Sequence, residues 1–364
     1  MSVPSSGTRT DLRDGHSDHL EPTSPLDLAS VHSIQDLLQG MKQTAFGGRS
    51  LGEAVGITDH VVQHLDCFVV GTFSGAMTVA KMGLVLCDMI EQGMLHAVIS
   101  TGALMAHGFV EASGRTHFKY NPAMDDRALY YQGYNRIYDT LELEKNLDDV
   151  AELFEHILAD ANPQETLCSY KINDLLGAYL HQHTEGRGIL KSAFQHNVPV
   201  YVPAFTDSEI GLDFALSNRK RQLAGKARLA FDPFLDLEHY TARVQGQKTL
   251  GIFTIGGGVP RNWGQQVGPY LELITKRVGQ GGGFQRFTYG VRICPEPAHW
   301  GGLSGCTYSE GVSWGKFVPP SEGGRFSEVL CDATIAWPLM VKAVQERLAQ
   351  ASLARRRVEG VSPS

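Results

Sequence analysis

The chain has 364 residues, 42% of them hydrophobic, and a formal net charge of −7. That is enough apolar material for one large α/β domain or two smaller ones, and it marks a globular, soluble protein. The charge offers no basic face for nucleic acid, no apolar run nears the roughly 20 residues that span a bilayer, and the six cysteines contain no Cys-x-x-Cys pair, which argues against a zinc ribbon or a disulfide framework.

Residues 1–30 are rich in Ser, Thr, Pro, Asp, Gly and His and lack apolar periodicity, so a disordered arm is expected there. The start has no basic stretch followed by an apolar run, which points to the cytoplasm. Folded sequence is expected over 31–350, and a solvated tail carrying Arg355, Arg356 and Arg357 over 351–364. Ser33, with Asp36 three residues on, caps a short amphipathic helix over 33–41, and a second helix follows over 51–64.

The run Cys67-Phe68-Val69-Val70 reads as a strand, and it ends in a loop of small residues that includes Gly75, Ala76, Met77 and Thr78. A helix over 79–92 leads to a second strand, Ala97-Val98-Ile99, ending in Ser100, Thr101, Gly102 and Ala103. Strand, loop, helix, strand, loop predicts a parallel sheet with both loops at its carboxyl edge, where ligands sit in such folds. Neither loop is a Gly-x-Gly-x-x-Gly fingerprint, and small residues at strand ends also make ordinary tight turns.

Acidic helical sequence follows over 140–159, and Tyr130, Tyr131 and Tyr134 are expected to pack. His181-Gln182-His183 lies on a helix, where alternate residues do not share a face, and no third ligand stands at a useful spacing; no metal site is assigned. A strand over 197–203 runs into Asp207, which is placed to accept hydrogen bonds from a ribose or an amide, or to cap the helix over 209–216. The apolar run over 249–255 ends in Gly256-Gly257-Gly258, a third loop where backbone can approach a ligand closely. Later strands are expected over 287–293 and 328–331, with a final helix starting at Asp332-Ala333-Thr334, whose amides could meet a pyrophosphate.

Between the last two strands lies Glu310-Gly-Val-Ser-Trp-Gly-Lys-Phe317, with one lysine, Lys316, between Gly315 and aromatic residues. An amine must be neutral to attack a carbonyl or imine carbon, and burial against Trp314 and Phe317 would lower its pKa. Glu310 offers a carboxylate for a cationic substrate. An aromatic-flanked lysine can also be a snorkelling surface residue.

Ser313-Trp314-Gly315-Lys316, then Asp332-Ala333-Thr334 and Trp337-Pro338-Leu339, resembles the C-terminal active-site segment of the deoxyhypusine synthase family, and the likeness extends over about 33–348. The resemblance implies a Rossmann-like, doubly wound α/β fold with a mostly parallel sheet and helices on both faces, assembled as a homotetramer. It implies NAD at Gly75, Ala76, Met77, Thr78, Thr101, Gly102, Ala103, Asp207, Gly257, Asp332 and Ala333. It implies Lys316 as carrier of an aminobutyl group from spermidine, with Trp314, Ser313, Gly315, Asn262, Asp213, Gly301 and Gly302 around the substrate. A mildly acidic protein also suits a polyamine cation.

The match breaks at the polyamine cradle. Asn262 stands where the family usually presents a histidine, Leu303 and Leu212 stand where acids are expected, Asp213 lies beside Leu212, and Ala106 and His107 replace an acidic pair. These departures resemble the bacterial deoxyhypusine synthase-like branch. His107, with Glu310, is the sequence-based choice for proton transfer. The acceptor can be a protein lysine or a small diamine, as in homospermidine synthesis. An NAD-dependent amine dehydrogenase and a non-catalytic NAD- or polyamine-binding homologue are the rival readings.

Overall fold

A computed structural model describes residues 12–358, apart from Leu65 and Asp160. Among these residues nine strands are formed: β1 (Cys67–Phe73), β2 (Ala97–Ser100), β3 (Phe118–Lys119), β4 (Tyr134–Ile137), β5 (Thr140–Leu143), β6 (Val200–Tyr201), β7 (Thr249–Ile255), β8 (Tyr289–Ile293) and β9 (Arg325–Val329). Six of them make one parallel sheet in the order β6-β2-β1-β7-β8-β9. The chain runs outward from β1 through β2 to β6, returns to β7 beside β1, and runs outward again to β9. The reversal between β1 and β7 leaves a crevice at their carboxyl ends, the place where doubly wound sheets take ligands.

Helices cover both faces, which is why β1 and β7 read as near-continuous apolar runs rather than alternating ones and are buried along their lengths. One core contains Val69, Phe73, Val98, Phe253 and Trp337, together with Met105, Ala106 and Phe109 of the helix Gly102–Ala112. The other contains Val70, Ile99, Ile252, Tyr240, Phe287, Tyr308 and Phe317. Alternate residues of the same strands feed the two cores. Strands β3, β5 and β4 form a separate antiparallel sheet.

The Ser33 cap is present, its side chain accepting from Asp36 N–H at 3.0 Å. Several expectations are corrected. The helix expected from 140 begins only at Glu144, because Thr140–Leu143 pairs with Tyr134–Ile137. Tyr130 and Tyr131 are exposed, touching each other edge to face. The strand expected over 197–203 is confined to Val200–Tyr201, since Pro199 and Pro203 lack the N–H a ladder needs. The final helix spans Ala333–Val358, so the expected tail is helical up to Val358, and 359–364 lie outside the described residues.

Residues 1–11 of the expected arm also lie outside the described residues. The stretch 12–30 is irregular and largely exposed, with a single 3-10 turn at Leu28–Ser30, but Ser24 N–H donates to Gln43 O at 2.9 Å and fastens it to the end of the first helix. No helix among the described residues is long and apolar enough to cross a membrane.

Candidate active site

Lys316 is presented by a short, tightly specified piece of chain. The helix Tyr308–Ser313 opens with a capping box: Thr307 Oγ1 accepts from Glu310 N–H, and the Glu310 carboxylate accepts from Thr307 N–H at 2.6 Å. It closes with Gly315 at φ +70°, Gly315 N–H donating to Val312 O and Lys316 N–H to Gly311 O, both at 3.0 Å. This is a Schellman ending, which needs the left-handed residue that glycine supplies. Beyond it, Phe287 N–H donates to Lys316 O and Val318 N–H to Phe287 O, holding 316–318 extended. Phe317 is fully buried against Tyr308, Phe326 and Phe287, and alternation turns Lys316 the other way.

Lys316 enters a cavity of about 330 Å³ lined by Arg261, Asn262, Leu303, Cys306, Glu310 and Trp314. Only 9% of the residue is exposed, so the snorkelling reading does not hold. Its Nζ donates to Asn262 Oδ1 at 3.1 Å and lies 5.8 Å from the Trp314 ring centroid. Burial pushes the amine pKa down, and repulsion from the Arg261 guanidinium pushes it further. Trp314 is 70% exposed and Phe317 faces the core, so the burial comes from the cavity wall rather than from the two aromatic neighbours.

Two buried guanidiniums brace this wall. Arg261 lies over the Tyr308 ring and donates to Cys306 O at 2.6 Å; Arg292, reaching out of β8, donates to Ser304 O and Cys306 O and pairs with Glu328 at 2.9 Å. Glu310 lines the same cavity, but the Thr307 hydrogen bonds hold its carboxyl below the usual range. It therefore stays ionised near neutrality, which suits holding a cation better than giving up a proton. Ser313 is exposed and donates to Glu310 O; Gly301, at φ +74°, and Gly302 lead into Leu303. Asp213 does not line the cavity, and burial, then repulsion from Glu209 and Glu155, pushes its carboxyl up to about 6. Leu303 and Leu212 are both exposed.

The loops expected to hold a cofactor converge on the carboxyl edge of the sheet. Thr101 Oγ1 donates to Gly75 O at 2.8 Å, Gly257 N–H donates to Ser74 Oγ at 2.9 Å, and Ser74 N–H donates to Ile255 O. A Cβ on Gly102 would fall 2.3 Å from Ser208, and one on Gly257 would fall 2.5 Å from Ser304, so both glycines are dictated by close packing. Ala76, Met77 and Ala103 are half-buried beside this edge. Thr78 is instead fully buried, its hydroxyl given to Leu104 O. Asp207 is exposed, and Ser208 rather than Asp207 caps the following helix by accepting from Gly211 N–H. Asp332 accepts from Thr334 N–H just ahead of the helix that starts at Ala333.

His107 is not brought to Lys316. It sits on a helix packed in the core on the opposite face of the sheet, with Nδ1 3.2 Å from Glu142 Oε2. The proton-transfer role read from its position in sequence has no geometry behind it within this chain. Arg261, Arg292 and Cys306 carried no role in the sequence reading. A charge within the apolar strand Tyr289–Ile293 is the sequence signal that would have singled out Arg292.

Fold and site together define a doubly wound α/β protein with a desolvated lysine beside the carboxyl edge of its sheet. A family model described as deoxyhypusine synthase matches residues 36–344. A Methanosarcina acetivorans protein named probable deoxyhypusine synthase 2 is 34% identical over 327 residues, covering 90% of each chain. A deoxyhypusine synthase-like protein of Chlorobaculum parvum is 31% identical over 312 residues, covering 85% of each. The crystal structure of an Entamoeba histolytica protein assigned as a deoxyhypusine synthase superposes with a TM-score of 0.54 at 13% identity, covering 87% of this chain and 94% of that one, a likeness of fold. The chain belongs to the deoxyhypusine synthase family, whose members are transferases, and this membership supports an aminobutyl transfer.

Proposed function

We propose that this protein moves an aminoalkyl group from a polyamine such as spermidine to an acceptor amine, with Lys316 as the covalent carrier and NAD seated between the ends of β1 and β7. One observation carries the reading: a buried lysine whose partner is the neutral amide of Asn262 and whose amine is held below its ordinary pKa. Such an amine is a nucleophile at a pH where exposed lysines are not.

The crevice residues fit a dinucleotide. Gly256 is left-handed, a Cβ on it would fall 2.1 Å from Ser74 Oγ, and the helix Gly258–Gln265 begins beside it with no side-chain cap, so a ligand can approach its first amides. NAD bound there would take hydride from the donor amine and return it to the product. Lys316 would attack the resulting imine carbon, forming a bond to Nζ while the bond to the smaller amine breaks and that amine leaves with a proton. The acceptor amine then displaces Lys316.

Ionised Glu310 would hold an ammonium group, and the exposed Trp314 ring would cover the alkyl chain. With Leu303 and Leu212 replacing acids, the donor or acceptor carries fewer fixed cations than the family's usual pair, which keeps a small diamine as well as a protein lysine in view as acceptor. A homotetramer acting in the cytoplasm accompanies this reading.

The test is to incubate the protein with NAD and spermidine, quench with borohydride, and map the adduct by mass spectrometry. An aminobutyl adduct on Lys316, absent from Lys316→Ala, is expected. Steady accumulation of NADH with no adduct would replace the proposal by a simple amine dehydrogenase.

A further inference from the structure

We propose that His107, His117 and Glu142 form a buried site for one divalent transition-metal ion, separate from the lysine cavity. The three come from different segments: the helix Gly102–Ala112, the stretch just before β3, and β5. Their ligand atoms lie within 4.8 Å of one another, with Glu142 Oε2 3.2 Å from His107 Nδ1 and 2.6 Å from His117 Nε2. Ligands bound to zinc at about 2.0–2.2 Å in a tetrahedral arrangement stand roughly 3.3 Å apart, so small adjustments of these side chains suffice. His107 is 5% exposed, His117 7% and Glu142 0%.

A second observation points to a ligand. His117 Nε2 is fully buried and has no hydrogen-bond partner, although the Glu142 carboxylate is adjacent. The contact is close yet badly angled for N–H···O, so Nε2 is left without a satisfied partner, and an ion shared with Glu142 Oε2 would supply one.

The surroundings are those of a held ligand set. Glu142 Oε1 accepts from Leu143 N–H and from Asn146 Nδ2, both at 2.9 Å, which turns Oε2 toward the imidazoles. His117 Nδ1 lies 2.9 Å from Lys81 Nζ, which can only donate to it, and 3.4 Å from Glu111 Oε1; binding an ion through Nε2 therefore requires the proton to move to Nδ1, where Glu111 would accept it and Lys81 would turn to pair with Glu111 alone. Two imidazoles and one carboxylate suit zinc and, less tightly, cobalt or iron(II), with a fourth position left for water. The ion would clamp the helix that starts at the ligand edge of β2 to the small antiparallel sheet.

The test uses the full chain with any affinity tag removed. Metal analysis of the purified protein should find about one equivalent of a transition metal. After stripping with a chelator, added Co²⁺ should give the visible absorption of a tetrahedral or five-coordinate ion at one equivalent. Glu142→Gln and His117→Ala should weaken Co²⁺ binding at least tenfold, in keeping with the sensitivity of metal sites to their ligands. A folded wild-type chain that carries no metal and gives no Co²⁺ spectrum overturns the proposal, leaving a proton-sharing triad. Equal Co²⁺ binding by wild type and Glu142→Gln overturns it as well.

Discussion

Lys316 Nζ is held by a neutral amide on one side and repelled by a guanidinium on the other, and both features can be tested one residue at a time. Replacing Arg261 with Gln removes the repulsion, so the midpoint for reductive trapping of a small aldehyde on Lys316 should move to higher pH. An unchanged midpoint would mean that burial alone sets the amine. The sign for stability follows from linkage. A lysine whose native pKa lies below its unfolded value of about 10.4 costs stability in full below the native pKa, and that cost disappears as pH rises to the unfolded value. Lys316→Met should therefore resist urea better than wild type at pH 7, with the advantage shrinking toward pH 11. The lysine and its glycine were legible from Ser313-Trp314-Gly315-Lys316, but its environment was not. Arg261 and Cys306 reach it through a fold that sequence spacing does not reveal, and Trp314, expected to bury the amine, is left open to solvent.

At the scale of an element, the stretch 307–318 behaves as one device: capping box, single helical turn and a half, Schellman ending, extended anchor. A Cβ on Gly311 would fall 2.3 Å from the Phe317 ring. Gly311→Ala should cost about 1–3 kcal/mol by overpacking and should also lower trapping at Lys316, because the ring that anchors the loop has to move. Thr307→Ala should cost about 1 kcal/mol as a lost cap and raise the Glu310 pKa only in part, because the Oγ1 hydrogen bond is lost while the backbone N–H of residue 307 still donates to the carboxylate. Thermal melts measure the first quantity, and carboxylate titration by NMR measures the second. Helices and central strands were read well because their apolar periods are long. The hairpin at 134–143 was missed, since Thr140–Leu143 is too short to show alternation before helical sequence takes over. His107, His117 and Glu142 went unrecognised as a group for a related reason: their proximity depends on that hairpin folding back on the helix.

Over the whole molecule, the two cores on either side of the sheet separate stability from chemistry. Trp337 is fully buried in one, against Phe73, with Nε1 donating to Met89 Sδ; Phe317 is fully buried in the other, one residue from the buried amine of Lys316. Either residue changed to Ala should lose about 3–5 kcal/mol in denaturant unfolding. Only Phe317→Ala should shift the pH midpoint of Lys316, and a shift of the same size in Trp337→Ala would show that the faces are not independent. The parallel sheet and its ligand edge were legible from three small-residue loops at strand ends, while the order of the strands and the reversal between β1 and β7 became visible only once the strands were paired. Asn262 bears on the proposed transfer in one more way. A carboxamide neither gains nor releases hydrogen ions near neutrality, so each proposed exchange at Lys316 would draw on dissolved buffer or on the incoming amine itself. Turnover should accordingly quicken as free imidazole is added at constant pH, and Asn262→His should abolish that dependence.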